Sequence, residues 1–327
     1  MHTPSFTASP YFMPPNEELR FLPEGPRVLR NYPAAGLRAG WVAIQHGSDS
    51  IDGSMNVLEI ASGKNTRFPL IGRPGFFAET ERPGVVMIGL ERALRLFNLL
   101  TGEFEDEGGV EVTRDEAVII NDGLAVEGGV LFGTKHVHLN LPVAALYFFD
   151  AGSGRVHTVV DRQTCSNGKF LRRDAGGATL IDIDSIPKTI TRYRLDAGLE
   201  TVIERSLVVA PESLRGFPDG LRPAPDGESV IVAFYNPEAV TEGRLEQIRI
   251  SDGEVLCEWI VPGSPRVTCP EFIEMDRKVK LLITTAVEGM PETIRAMCPG
   301  AGTIYIADTP FEAMPDPPPL VPCPLAP

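Results

Sequence analysis

Four short acidic or amide motifs, Glu24-Gly25, Asn121-Asp122-Gly123, Asn167-Gly168 and Asp219-Gly220, recur along the chain at intervals close to whole multiples of one length. About two such lengths separate the first pair and about one separates each later pair, if the unit is roughly 40 to 55 residues, the scale of a propeller blade. In a propeller the same point of every blade faces the central channel, so motifs of equal phase meet on the axis although they are remote in the chain. Two carboxylates and two carboxamides brought into one narrow space offer four oxygen ligands to a single cation.

The punctuation between the motifs is that of an all-β protein. Short runs rich in Val, Ile, Leu, Phe and Tyr, at 85–88, 94–97, 130–132, 146–149, 179–183 and 230–234, are separated by turn dipeptides, and long helical periodicity is absent. Ser62-Gly63-Lys64, Thr101-Gly102-Glu103, Gly152-Ser153-Gly154, Asp196-Ala197-Gly198 and Asp252-Gly253-Glu254 each sit between two apolar runs. Such residues supply the backbone conformations that tight hairpins demand, so each signal marks the same outer hairpin of successive blades.

A six-bladed β-propeller follows, with blades at about 40–70, 76–105, 124–160, 169–203, 221–261 and 272–306. The segment 16–31 is expected to supply the strand that closes the ring. The expected organisation is a Pro-rich extension at 1–15, a propeller at 16–310 and a Pro-rich tail at 311–327, read as an extended surface arm or a disordered end.

Composition limits the partners. Of 327 residues, 30 are Lys or Arg and 44 Asp or Glu, a formal net charge of −14 that repels phosphate backbones and disfavours nucleic acid. No apolar stretch approaches the roughly 20 residues of a membrane helix, and residues 1–20 lack a secretory signal, so a cytoplasmic protein without a membrane partner is expected. The five cysteines, Cys165, Cys257, Cys269, Cys298 and Cys323, form no C-x-x-C pair and read as free thiols. A monomer or small homo-oligomer acting on a small molecule fits these bounds.

Several segments together resemble the senescence marker protein, gluconolactonase and luciferin-regenerating (regucalcin-like) family of six-bladed propellers. Leu22-Pro23-Glu24-Gly25-Pro26 is similar to its opening G-E-G-P, and Asn121-Asp122-Gly123 with Phe132-Gly133-Thr134 to its N-D-G and F/W-x-G-T pair. Ser166-Asn167-Gly168, Asp184-Ser185 and the segment from Arg192 to Asp196 resemble its next elements, as do Pro218-Asp219-Gly220 and the segment from Ala233 to Asn236.

The resemblance implies that Glu24, Asn167 and Asp219 hold one divalent cation, with Asn121 at the ion directly or through water. All-oxygen ligation suits Ca²⁺ first and admits Mg²⁺ and Mn²⁺; Zn²⁺ is accepted in the family but lacks its usual thiolate or imidazole here. It also implies a metal-dependent hydrolase of ester bonds, of the lactonase type. Asp219 serves as general base, or is a ligand only while a hydroxide on the ion or a second carboxylate does the work.

Two family positions that contact sugar hydroxyls differ. The arginine two residues before the N-D-G asparagine is Ile119, and the acidic residue after the G-T pair aligns with His138. With Asn121, these are the expected substrate contacts, and losing a guanidinium removes up to five donors. A less hydroxylated or more apolar lactone or ester is therefore expected rather than a sugar aldonolactone. His136 and His138 share a strand face, so both are candidates for the channel mouth, whereas His46 and His157 are expected to be structural. The alternatives are a non-catalytic propeller that binds calcium or a small ligand, and a phosphotriesterase-like hydrolase.

Overall fold

The structure, a computed structural model, describes residues 3–45 and 52–323; His46 lies outside them. Six sheets of four or five strands, antiparallel but for one added edge strand, form a β-propeller, with only two short α-helices among the described residues, Glu17–Phe21 and Glu292–Met297. The strands nearest the axis are Leu22–Val28, Pro74–Glu79, Val118–Val126, Ser166–Asp174, Phe217–Pro223 and Val267–Met275. Each blade then runs outward by antiparallel hairpins, and the five turn signals all fall between a blade's third strand and the strand outside it.

Consecutive residues on a strand point to opposite faces, so each blade feeds the cores on both sides of it. Phe76 packs with the third blade and Phe77 with the first; Val130 packs with the second and Leu131 with the fourth; Ile231 and Val230 divide between the sixth and the fourth. One apolar cluster fills each gap between neighbouring blades, including the gap between last and first, where Trp41 and Leu58 meet Ile273 and Leu282. Each fully buried side chain of this size stabilises the fold by about 1.5–3 kcal/mol, so every gap holds its two blades together.

The ring is closed from further upstream than the sequence suggested. Ser9–Phe12 forms the outermost strand of the sixth blade, antiparallel to Ile304–Asp308, and Ser5–Thr7 adds a parallel fifth strand beside Val255–Pro262. Residues 16–31 instead supply the first helix and the innermost strand of the first blade. Pro10 explains why the closing strand is hidden in the sequence: proline lacks a ladder donor and survives only at a sheet edge, which is where it sits.

Candidate active site and metal centre

All four motifs lie within innermost strands rather than in hairpins, and each coincides with a break in pairing register. The breaks fall between Glu24 and Arg27, Ile120 and Gly123, Ser166 and Lys169, and Pro218 and Leu221. Such bulges re-aim side chains out of the regular alternation, here at one level of the axis. The glycines let the strands converge there: a Cβ at Gly168 would lie 2.5 Å from Leu221 Cβ, and one at Gly220 2.5 Å from Cys269 Sγ.

A chain of hydrogen bonds crosses three blades at this level. Asn121 Nδ2 donates to the Ser166 carbonyl at 2.9 Å and to Asn167 Oδ1 at 3.2 Å. Asn167 Nδ2 donates to Ser185 Oγ at 2.9 Å, and that hydroxyl donates to the Pro218 carbonyl at 2.6 Å. Asn121, Asn167 and Asp219 are all buried, and Glu24 is half-buried. Asp219 Oδ1 is buried without a hydrogen-bond partner among the described residues.

The acids at this level raise one another's proton affinity. Burial, reinforced by the charge of Asp122, pushes the Glu24 carboxyl up to about 8. Asp219 lies well above the usual carboxylate range, through burial first and then the charges of Glu24 and Asp122. Glu288 is raised mainly by burial, and Lys135 draws Glu24, Asp219 and Glu288 back down. Lys135 is thus the cation that bears on Glu24, Asp219 and Glu288, while Asp122 has Lys169 beside it.

Between the last two strands of the sixth blade, residues 286–303 carry the helix Glu292–Met297 and bring Glu288 to this mouth. Its backbone N–H bonds the Phe21 carbonyl at 2.9 Å, and Tyr235 Oη donates to the Glu288 carbonyl at 3.0 Å. One level below, the buried Lys169 ammonium donates to the carbonyls of Asp122 and Asn167 and stands 3.8 Å from Asp122 Oδ2.

The sequence profile described as the SMP-30/gluconolactonase/LRE-like region matches residues 23–287. The chain belongs to the SMP-30/gluconolactonase/LRE-like family. Among solved structures, a calcium-binding regucalcin from Agrobacterium tumefaciens is 21% identical, with a TM-score of 0.78 over 98% of this chain and 99% of that one. A luciferin-regenerating enzyme is 18% identical, with a TM-score of 0.74 over 96% of this chain and 100% of the other. A gluconolactonase from Xanthomonas campestris is 14% identical, with a TM-score of 0.61 over 95% and 99%. At these identities the likeness is one of fold. No curated protein sequence gives a significant match.

Within this SMP-30/gluconolactonase/LRE-like propeller, the expected residues divide into two groups. Asn121 and Asn167 are hydrogen-bonded to each other, and Glu24 and Asp219 are close enough to shift each other's titration. Ile119 is buried on the strand Val118–Val126, directly opposite Lys135. His138 is exposed, its ring edge-on to the buried His136 at 5.7 Å between centroids. His157 bonds the Leu199 carbonyl and packs on Phe148.

The donor set fits a hard divalent ion. The orphaned Asp219 oxygen, the Glu24 carboxylate and two carboxamides are oxygen donors of the kind that Ca²⁺ or Mg²⁺ prefers. Among the described residues no three His, Cys, Asp or Glu side chains are grouped to hold a metal, so a centre here would draw on the two asparagines as well. Cys165 Sγ lies 3.7 Å from Asn121 Nδ2, but burial pushes its thiol up to about 12, which keeps it protonated.

Proposed function

We propose that this protein is a divalent-metal-dependent hydrolase of the lactonase type. Family membership supports the reaction class, and the buried, unpartnered Asp219 Oδ1 beside Glu24 is the observation that carries the chemistry. Glu24, Asn167 and Asp219, with Asn121, would hold the cation, Ca²⁺ by its donor chemistry. When bound, such an ion polarises the carbonyl under attack and stabilises the oxyanion that develops.

The chain's own groups account for the proton. Water attacks the lactone carbonyl carbon while Asp219 Oδ1 accepts the proton; the ring C–O bond then breaks, and the same proton passes to the departing alkoxide. Asp219 Oδ1 is the buried oxygen, unpartnered among the described residues, that is placed to take this proton. The buried alkyl group of Ile119 offers a hydroxyl nothing to bond, and the substrate we favour is a lactone or ester with fewer hydroxyls than an aldonolactone.

The test is to strip the protein with chelator, restore Ca²⁺, Mg²⁺, Mn²⁺ or Zn²⁺ singly, and assay lactones, aryl esters and an organophosphate with wild type and Asp219→Asn. Turnover that returns with metal and is lost in the variant supports the reading. Tight Ca²⁺ binding without turnover on any substrate would replace it with a calcium-binding role, the property carried by the Agrobacterium tumefaciens relative.

A further inference from the structure

All six innermost strands run from the acidic mouth to the opposite end of the channel, where they enclose a cavity of about 550 Å³. This size falls within the roughly 300–1,000 Å³ of small-molecule pockets. Its floor and walls include Phe77, Leu124, Phe170 and Phe272, and its far side is the proline run of the tail, 315–319. That tail is tied in place: Arg30 bonds the Pro318 carbonyl, and Val321 is buried, exchanging backbone hydrogen bonds with Glu79 and Glu81. The tail is thus an extended arm packed on the propeller, where it walls the channel end.

In a protein with net charge −14, five arginines, Arg27, Arg30, Arg172, Arg173 and Arg222, line one cavity beside four acids, Glu79, Glu127, Glu271 and Asp316. Arg27 and Arg222 share one partner, the half-buried Glu271, at 3.7 and 2.9 Å, so a single carboxylate offsets one of their two charges. Glu79 is taken up by the backbone N–H groups of Arg30 and Asn31 at 2.9 and 2.7 Å. The other three guanidiniums bond backbone carbonyls, Arg30 to Pro318, Arg172 to Gly227 and Arg173 to Ala197. Arg173 Nε is buried with no hydrogen-bond partner among the described residues.

We infer that this end of the channel is a second binding site, for a monocarboxylate with an aromatic or branched aliphatic body. Guanidinium forks match a carboxylate in pairs of hydrogen bonds, and the phenyl and proline surfaces take the apolar remainder. The site is separate from the acidic mouth and stands whether or not that mouth is catalytic.

Titrating the full-length protein with 2-naphthoate, followed by its fluorescence, tests the assignment against the uncharged 2-naphthamide. One saturable site is expected, with naphthamide and the variant Arg30→Gln/Arg173→Gln each weaker by about tenfold or more. Asp219→Asn should bind as wild type does. Absence of saturation, equal binding by the arginine variant, or loss in Asp219→Asn alone would overturn the inference. So would displacement by inorganic phosphate as effective as by hexanoate, since the ligand would then need no apolar body. Thermal melting of the double variant within about 3 °C of wild type confirms its fold; if it fails to fold, the exposed Arg172→Gln serves in its place with the same expectations.

Discussion

Ile119 and Lys135 stand directly opposite each other on paired strands of the third blade. Directly opposed residues project from the same face of a sheet, so the position that loses a guanidinium at 119 has an ammonium one strand away. That ammonium bears on the acids: its charge lowers the proton affinity of Glu24, Asp219 and Glu288. Lys135→Met should therefore raise these carboxyls further and move the acid limb of the kcat/KM profile to higher pH. The activity near neutrality should fall by about tenfold, the effect of moving the base's titration by about one pH unit. A pH profile that superimposes on wild type would separate Lys135 from the reaction.

Stability of the metal-free protein should fall as pH rises. Glu24 moves from near 4.5 to about 8, and Asp219 is raised in the same direction. Between those values the folded state holds protons that the unfolded chain has released, so raising pH favours unfolding. A bound divalent cation takes the place of the protons and reverses the disadvantage. Melting temperatures measured from pH 5 to 9 in chelator should decline, whereas in excess Ca²⁺ the decline should shrink, and Asp219→Asn in chelator should also flatten it. A chelated wild type whose melting temperature rises over the same range contradicts the electrostatic account.

Ser185 orients the carboxamide of Asn167 and ties it to the Pro218 carbonyl. Ser185→Ala leaves a buried amide donor and a buried carbonyl without that partner, at a cost of about 1–3 kcal/mol. The positioning effect should be larger than the stability effect, because partners that orient a ligand are typically worth about 10–100-fold in metal affinity. Calcium titration of the variant checks this, and Ser185→Thr, which keeps the hydroxyl, should recover most of the affinity.

Lys169 holds a buried positive charge between strands that carry the site. Its removal in Lys169→Met leaves Asp122 charged and uncompensated, which should destabilise the fold by about 3–5 kcal/mol in denaturant titrations. Adding Asp122→Asn removes the stranded charge and should restore a large part of the loss. If the double variant is no more stable than the single one, Lys169 acts through packing and not through Asp122.

The ring of blades was legible because hairpin signals and apolar runs repeat at a blade's length, and the propeller geometry turns equal phase into shared position on the axis. The same phase brought Asn121 to Asn167 and Glu24 to Asp219. What it concealed was register: a motif of asparagine and glycine looks alike in a hairpin and in a bulge, and only the sheet pairing separates them. Lys135 and Glu288 were missed for a related reason. One reaches the site from a second strand and the other from an insertion, and neither obeys the repeat. The closing strand at Ser9–Phe12 carries a proline that reads as a break until its edge position is known.

Gly220 shows why the motif needs glycine even though its backbone angle is not unusual. Any Cβ there meets Cys269 Sγ at 2.5 Å and the Thr268 carbonyl at 2.7 Å, atoms of the adjacent innermost strand. Gly220→Ala must push these strands apart at the level where Asp219 turns into the channel. Overpacking of this kind costs about 1–3 kcal/mol, and the displacement should also weaken Ca²⁺ binding. Cys269→Ala in the same chain removes the sulfur but not the carbonyl, so it should relieve part of the instability and leave a residual defect. Full recovery of both stability and affinity would mean that the side chain alone, and not the closeness of the two backbones, demands glycine at this position.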